Sequence, residues 1–162
     1  MTYKTSLDKT AQIITSFVTL IFVVIIIFQY LLSKDMGNVA TVIIPLVFLL
    51  IYAVSFGLRP VSYIVNYNEV IIHRPISDVK IKRNLIKSAE IIDKDEIKGS
   101  IRTLGNGGLF GYYGKFTNYK LGKMTWYATR RDKIILIETN DNRKIILTPD
   151  DPQRMIAELN NR

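Results

Sequence analysis

The sequence predicts a membrane-anchored α+β chain, in which a two-helix transmembrane hairpin precedes a small antiparallel β domain with one C-terminal helix. Three observations predict it. No charged residue occurs between Lys9 and Lys34, or between Asp35 and Arg59. Beyond Arg59, charged and apolar residues alternate over short runs, the period of half-buried strands. Near the end, Asp151 followed by Pro152 joins a capping side chain to a proline at the first helical position.

The hairpin comes first. A helix needs about 20 apolar residues, at about 1.5 Å each, to cross a hydrocarbon core of about 30 Å. Spans over 11–32 and 39–58 meet that length. From Ile13 to Leu32 there are fifteen Leu, Ile, Val or Phe residues, which favour insertion by about 6 kcal/mol. Thr15, Ser16, Thr19 and Gln29 offset only part of it. A cleaved signal peptide has an apolar core of about 7–15 residues and a small-residue cleavage site; this run is longer, lacks an A-x-A site and leads at once into a second. A buried soluble pair fails too, because about 100 remaining residues cannot enclose two helices apolar all round. Pro45 is compatible with a membrane helix whose freed backbone groups find partners.

The connecting Ser33-Lys34-Asp35-Met36-Gly37-Asn38 has room only for a turn, so both ends of the hairpin lie on one side. Lys4 and Lys9 precede the first helix, and Arg59, Arg74, Lys80, Lys82 and Arg83 follow the second. The positive-inside bias puts both termini and the β domain in the cytoplasm of a multi-pass cell-membrane protein. With no ionisable side chain inside either span, a transport pathway is not expected. Residues 1–58 thus read as N-terminal tail and hairpin, and 59–162 as the second domain.

Within that domain, Val61–Tyr67 and Val70–Arg74 flank the polar turn Asn68-Glu69, a hairpin signal. Val79–Lys82 and Leu85–Ile92 follow, then Lys123–Thr129, Lys133–Glu138 and Arg143–Thr148, joined by polar connectors. Seven strands with short connections predict a small antiparallel barrel or sandwich. Asp93-Lys94-Asp95-Glu96 reads as a solvated loop. The final helix, 151–161, puts Met155, Ile156 and Leu159 on one face, suited to covering an open end of the barrel.

The least ordinary stretch is Gly105–Phe116, with five glycines and four aromatics in twelve residues. Such density implies special backbone angles and close packing. It matches neither a phosphate loop nor G-x-G-x-x-G, since Phe110 takes the third glycine's place. It reads either as a loop folded over the barrel edge by its own aromatics, or as a contact surface carried by Gly107, Gly108, Phe110, Tyr112 and Tyr113.

Several segments together resemble the bacterial PH-domain families. They are Arg59-Pro60-Val61-Ser62-Tyr63, Gly107–Gly114, Leu121-Gly122, Tyr127-Ala128-Thr129, Ile134–Ile137 and the closing Ile146-Leu147-Thr148-Pro149-Asp150-Asp151-Pro152. The resemblance implies a seven-stranded antiparallel PH-like β-barrel capped by the C-terminal α-helix, often attached to membrane-spanning segments. Eukaryotic PH domains that bind phosphoinositides use basic residues around the first hairpin. Here that turn is Asn66-Tyr67-Asn68-Glu69, without lysine or arginine, so phosphoinositide binding does not carry over.

Catalysis is not expected. His73 is the only histidine and cysteine is absent, which removes thiolate nucleophiles and thiolate metal sites. No sequence motif supplies an activated serine. Asp93, Asp95 and Glu96 lack Ca²⁺-loop spacing, and no cofactor is implied. From Arg59 on, nineteen Lys and Arg stand against twelve Asp and Glu, an excess of seven. Lys80, Lys82, Arg83, Arg130, Arg131, Lys133, Arg143 and Lys144 could form a basic face for anionic lipid, or be dispersed solubilising charge. Nucleic acid is not the expected partner, because no reader motif is present. The expectation is a non-enzymatic, membrane-tethered module that binds a protein partner or lipid headgroups. The alternative is a structural subunit or assembly factor acting through its transmembrane helices.

Overall fold

The computed structural model describes residues 1–32 and 39–161; the expected hairpin turn, 33–38, lies outside the described residues. Helix α1 runs over Lys9–Leu32 and α2 over Ala40–Gly57, continuing through Pro45. They pack antiparallel through aromatic rings and one hydroxyl pair. Phe22 meets Phe48 and Tyr52 at 5.5 Å each, and Thr19 Oγ1 lies 2.8 Å from the Tyr52 hydroxyl. Their other faces are apolar and exposed, with Phe17, Leu20, Ile27, Leu46 and Leu50 turned outward. Among the described residues one helix, α1 over Lys9–Leu31, is long and apolar enough to cross a membrane. The described part of α2 is a shorter apolar helix, Val42–Gly57.

All seven expected strands are present. They are β2 (Ser62–Val65), β3 (Glu69–His73), β4 (Val79–Lys82), β5 (Ile86–Ile92), β8 (Gly122–Ala128), β9 (Ile134–Thr139) and β10 (Lys144–Leu147). Three more join them: β1 (Thr2–Lys4), ahead of α1, and β6 (Ile101–Gly108) and β7 (Gly111–Asn118), from the glycine-aromatic stretch. The ten do not close into a single seven-stranded barrel. They form a four-stranded sheet, β1-β2-β3-β4, and a six-stranded sheet, β5-β9-β10-β8-β7-β6.

Nor is the pairing wholly antiparallel. β8 and β9 run in opposite directions but leave a gap, which β10 fills; being antiparallel to β9, it must be parallel to β8. Burial explains the apolar run of β9. Ile135 and Ile137 face one hydrophobic cluster with Tyr63, Ile72, Leu147 and Met155, between the first sheet and the C-terminal helix. Ile134 and Leu136 face a second cluster, with Phe116, Trp126, Ile146 and Ala11 of α1. A strand buried on both faces cannot alternate.

Helix α3 spans Pro152–Asn160. The Asp151 side chain accepts a hydrogen bond from the Arg154 backbone at 3.1 Å, offsetting one unpaired N–H of the first turn. Met155 and Leu159 are buried against the first cluster. At the far end Arg83 donates to the carbonyls of Leu159 at 2.8 Å and Asn161 at 3.0 Å, favourable beside a helix C-terminus.

The tail ahead of α1 is bound to the domain along its length. β1 pairs with β2, Thr2 opposite Ile64 and Lys4 opposite Ser62. Thr5 donates to the Thr148 carbonyl at 2.7 Å and meets the Thr129 hydroxyl. Ser6 donates to Asp150 through backbone and hydroxyl, at 3.1 and 2.6 Å. Arg130 bridges Asp150 at 3.0 Å and Asp132 at 2.6 Å. Burial opposes ionisation of Asp150, but the Ser6 and Arg130 hydrogen bonds outweigh it and hold the carboxyl below its ordinary range. Arg130 does the same for Asp132.

β6 and β7 approach closely where Gly105 faces Gly114, at φ 115° and 121°. A Cβ on either would come within 2.8 Å of the other's Cα. Gly105→Ala is therefore expected to lower stability by about 2–4 kcal/mol, against about 1 kcal/mol for Gly99→Ala, where φ is also positive but space is open. Thermal unfolding of the full chain in detergent measures both. A second expectation concerns acid. A carboxylate whose folded pKa lies below the unfolded value, about 3.9, stabilises above that value and loses the effect as pH falls through the folded one. Stability should hold down to about pH 5 and decline below about pH 4, and Arg130→Ala should flatten that decline in a pH series of melts.

Candidate functional site

The glycine-aromatic stretch is a β-hairpin whose two-residue turn, Leu109-Phe110, lodges against the domain-proximal ends of both helices. Phe110 takes φ 59°, which directs its ring onto α2. It meets Tyr52 at 5.0 Å and Phe56 at 5.4 Å, both edge-on, a geometry worth about 0.5–1.5 kcal/mol beyond area burial. With Phe22 and Phe48, these rings form a continuous aromatic series between the helices. The Arg59 guanidinium, just past α2, lies 4.1 Å from the Phe56 ring centroid and 5.8 Å from that of Phe110, within cation–π range.

Polar groups fix the same contact. The Phe110 N–H donates to Thr15 Oγ1 at 2.9 Å, and that hydroxyl lies 3.5 Å from the Gly108 carbonyl. Gly108, at φ 146°, rests on Ile14; a Cβ there would stand 2.6 Å from Ile14 Cδ1. Tyr113 donates to the Ser55 carbonyl at 2.5 Å and accepts from Asn106 at 3.0 Å. Burial pushes the Tyr113 phenol up from its ordinary pKa. One strand register on, Tyr112 donates to Asp8 at 3.2 Å beneath the Arg131 guanidinium, 4.3 Å from its ring. Burial first, then the Asp8 charge, push its pKa to about 12. Asp8 also accepts from the Ala11 N–H at 2.7 Å, capping α1.

The five contact candidates are thus brought together, but facing inward. Phe110, Tyr112 and Tyr113 are buried, Gly108 abuts Ile14 and Gly107 abuts Arg102. Phe110, Gly108 and Tyr113 hold the domain to the helices, and Tyr112 meets Asp8, the cap of α1. Of the basic candidates, Lys80, Lys82 and Arg143 line one cavity of about 250 Å³, and most of the set have partners. Lys80 lies 3.6 Å from Glu69, Lys144 3.5 Å from Glu138 and Arg143 2.6 Å from Asp141. Arg83 and Arg130 are occupied as described, and Lys133 donates to the Asp150 carbonyl at 2.7 Å. Lys82 and Arg131 show no carboxylate partner among the described residues. His73 lies 2.8 Å from Asp78 at the surface. Among the described residues no three His, Asp or Glu converge as a metal site.

Thr15, Tyr52, Phe56, Arg59 and Asp8 are the junction residues that sequence reasoning missed as a set. Their one signal is position: hydroxyls and aromatics at the domain-proximal ends of both apolar runs. Comparison with known proteins agrees with the strands and the final helix. No curated protein and no solved structure matches the chain. The family model described as bacterial PH domain matches residues 61–162, from β2 through α3. That is more than half of the sequence, and the chain belongs to the bacterial PH domain family.

Proposed function

We propose that this chain is a non-enzymatic, membrane-tethered PH module, which holds a protein- or lipid-binding domain at a fixed attitude on the cytoplasmic face. One observation carries the reading: the domain grips the helix pair from both sides. β1, ahead of α1, pairs with β2, which follows α2, while Phe110 packs on Tyr52 and Phe56. A flexible tether would need none of these contacts. A domain fixed this way keeps one surface against the bilayer and offers the remainder to partners.

Other features support the tether. Exposed Phe, Leu and Ile cover α1 and α2, an apolar surface far larger than a soluble monomer leaves uncovered. α2 has 18 residues, about 27 Å of helix, close to the hydrocarbon thickness. Arg59 follows α2 directly, and Lys9 opens α1, placing positive charge at the domain side. The alternative, a subunit acting through its helices, would use Thr15, Ser16, Thr19, Gln29 and Ser55 in helix packing. Of these, the Thr15 and Thr19 hydroxyls are engaged within this chain.

Absence of cysteine makes topology directly testable. Single variants Met36→Cys and Tyr119→Cys, expressed in intact cells, are treated with a membrane-impermeant maleimide. Met36→Cys should react at once and Tyr119→Cys, exposed on the domain, only after permeabilisation. Labelling of both from the same side would overturn the two-span reading.

A further inference from the structure

Several cations of the domain, Arg83, Arg130, Lys133 and Arg143 among them, are spent on carboxylates or carbonyls, which makes clusters of the others informative. Three converge on one cavity of about 480 Å³: Lys94, Lys98 and Arg131. No ion pair involves any of them among the described residues, and the single carboxylate in the lining is Asp95. The walls between the cations are Ile97, Phe116 and Trp126. Phe116 and Trp126 stack at 4.3 Å with planes 17° apart. Trp126 is 2% exposed and its indole Nε1 has no hydrogen-bond acceptor, a buried donor of the kind that folded proteins seldom leave unused. A cavity of similar size, about 490 Å³ beside the β2–β3 turn, differs in this respect. Its arginine, Arg83, is already committed to the end of α3.

Position adds a second argument. Leu7 and Ala11, at the foot of α1, pack into the same cluster as Ile97, Phe116 and Trp126. The Arg131 backbone donates to Asp8, the cap of α1, at 3.1 Å. The cavity therefore stands beside the point where the apolar helix leaves the domain. On the tethered reading, on which this inference rests, that is the level of phospholipid headgroups, a zone several ångströms deep on each side of the hydrocarbon. Lys and Arg near such a surface attract its anionic lipids.

We propose that this cavity binds a phosphate ester, its anionic oxygens held by Lys94, Lys98 and Arg131 and its adjoining apolar part against the Phe116–Trp126 stack. The nearest source is the headgroup of an anionic phospholipid in the leaflet that α1 enters; a soluble phosphate ester has the same chemistry. Both lysines are exposed and unpaired, so their removal leaves packing intact.

Trp126 is the sole tryptophan, and its emission reports directly on the cavity. The full chain is reconstituted in phosphatidylcholine vesicles, with and without added inorganic phosphate, and in vesicles of equal parts phosphatidylcholine and phosphatidylglycerol. Phosphate should shift the emission in neutral vesicles, and phosphatidylglycerol should shift it without added phosphate. The double variant Lys94→Ala/Lys98→Ala should weaken the phosphate response about thirtyfold, each cation contributing about fivefold. Lys94→Arg/Lys98→Arg should retain it, as should Lys87→Ala on β5. A response to phosphate alone supports the site with a soluble ester as ligand; a response to both supports the headgroup. Emission indifferent to both, or a response unchanged in the double alanine variant, overturns the proposal. Alkaline extraction of the same neutral vesicles tests the tether separately, since a chain released by it is not membrane-spanning whatever Trp126 reports.

Discussion

The fold depends on one closure: the pairing of β1 with β2 across the whole length of the helix pair. Joining segments some sixty residues apart in a flexible chain would cost about 3–4 kcal/mol in loop entropy. An antiparallel helix pair meets most of that cost, because it returns the chain to within about 8–10 Å of its start. The sheet in turn holds the helix ends together. Helix packing and strand pairing are thus coupled, each making the other less costly. The aromatic series from Phe110 to Phe48 lies along the same seam, so the rings between the helices and the turn of the β domain form one packed unit.

The same economy governs charge. The excess of positive residues suggests a broad basic face, yet Lys80, Arg130, Arg143 and Lys144 lie beside carboxylates of neighbouring strands and turns. Exposed pairs of this kind add little stability. They do reduce the number of cations free to act at a distance. On the proposed reading, charge in this domain acts where it is unpaired and gathered, beside the foot of α1.

The parts of this architecture that sequence reveals are those with a period or a cap. Alternation exposes β4, continuous isoleucines expose β9, and Asp151-Pro152 marks the start of α3. Gly105–Phe116 reads as a loop because the strand character of β6 and β7 there does not come from side chains. Gly105 and Gly114 face each other with positive φ, and backbone contact replaces the usual cross-strand packing. β1 has three residues, too few for any period, and its partner lies beyond both helices. The split of β8 from β9 by β10 is a long-range event that no local window records. At the junction the composition was visible and the direction was not. Phe110 and Tyr113 point at the helices because Thr15, Tyr52 and Ser55 stand there, and these sit in runs whose apolar majority masks them.

The place of β1 also has a consequence for synthesis. Thr2–Lys4 is made ahead of both apolar helices, but β2 exists only after they have emerged, so the edge strand must wait for its neighbour. In a tethered chain the two meet only if α1 and α2 have threaded the bilayer in opposite senses. A chain with one helix misplaced would strand β1 on the far side and leave β2 with an open edge, a surface prone to aggregation and recognisable as unfinished. On the tethered reading, β1, with three residues, would thereby act as a checkpoint on membrane topology.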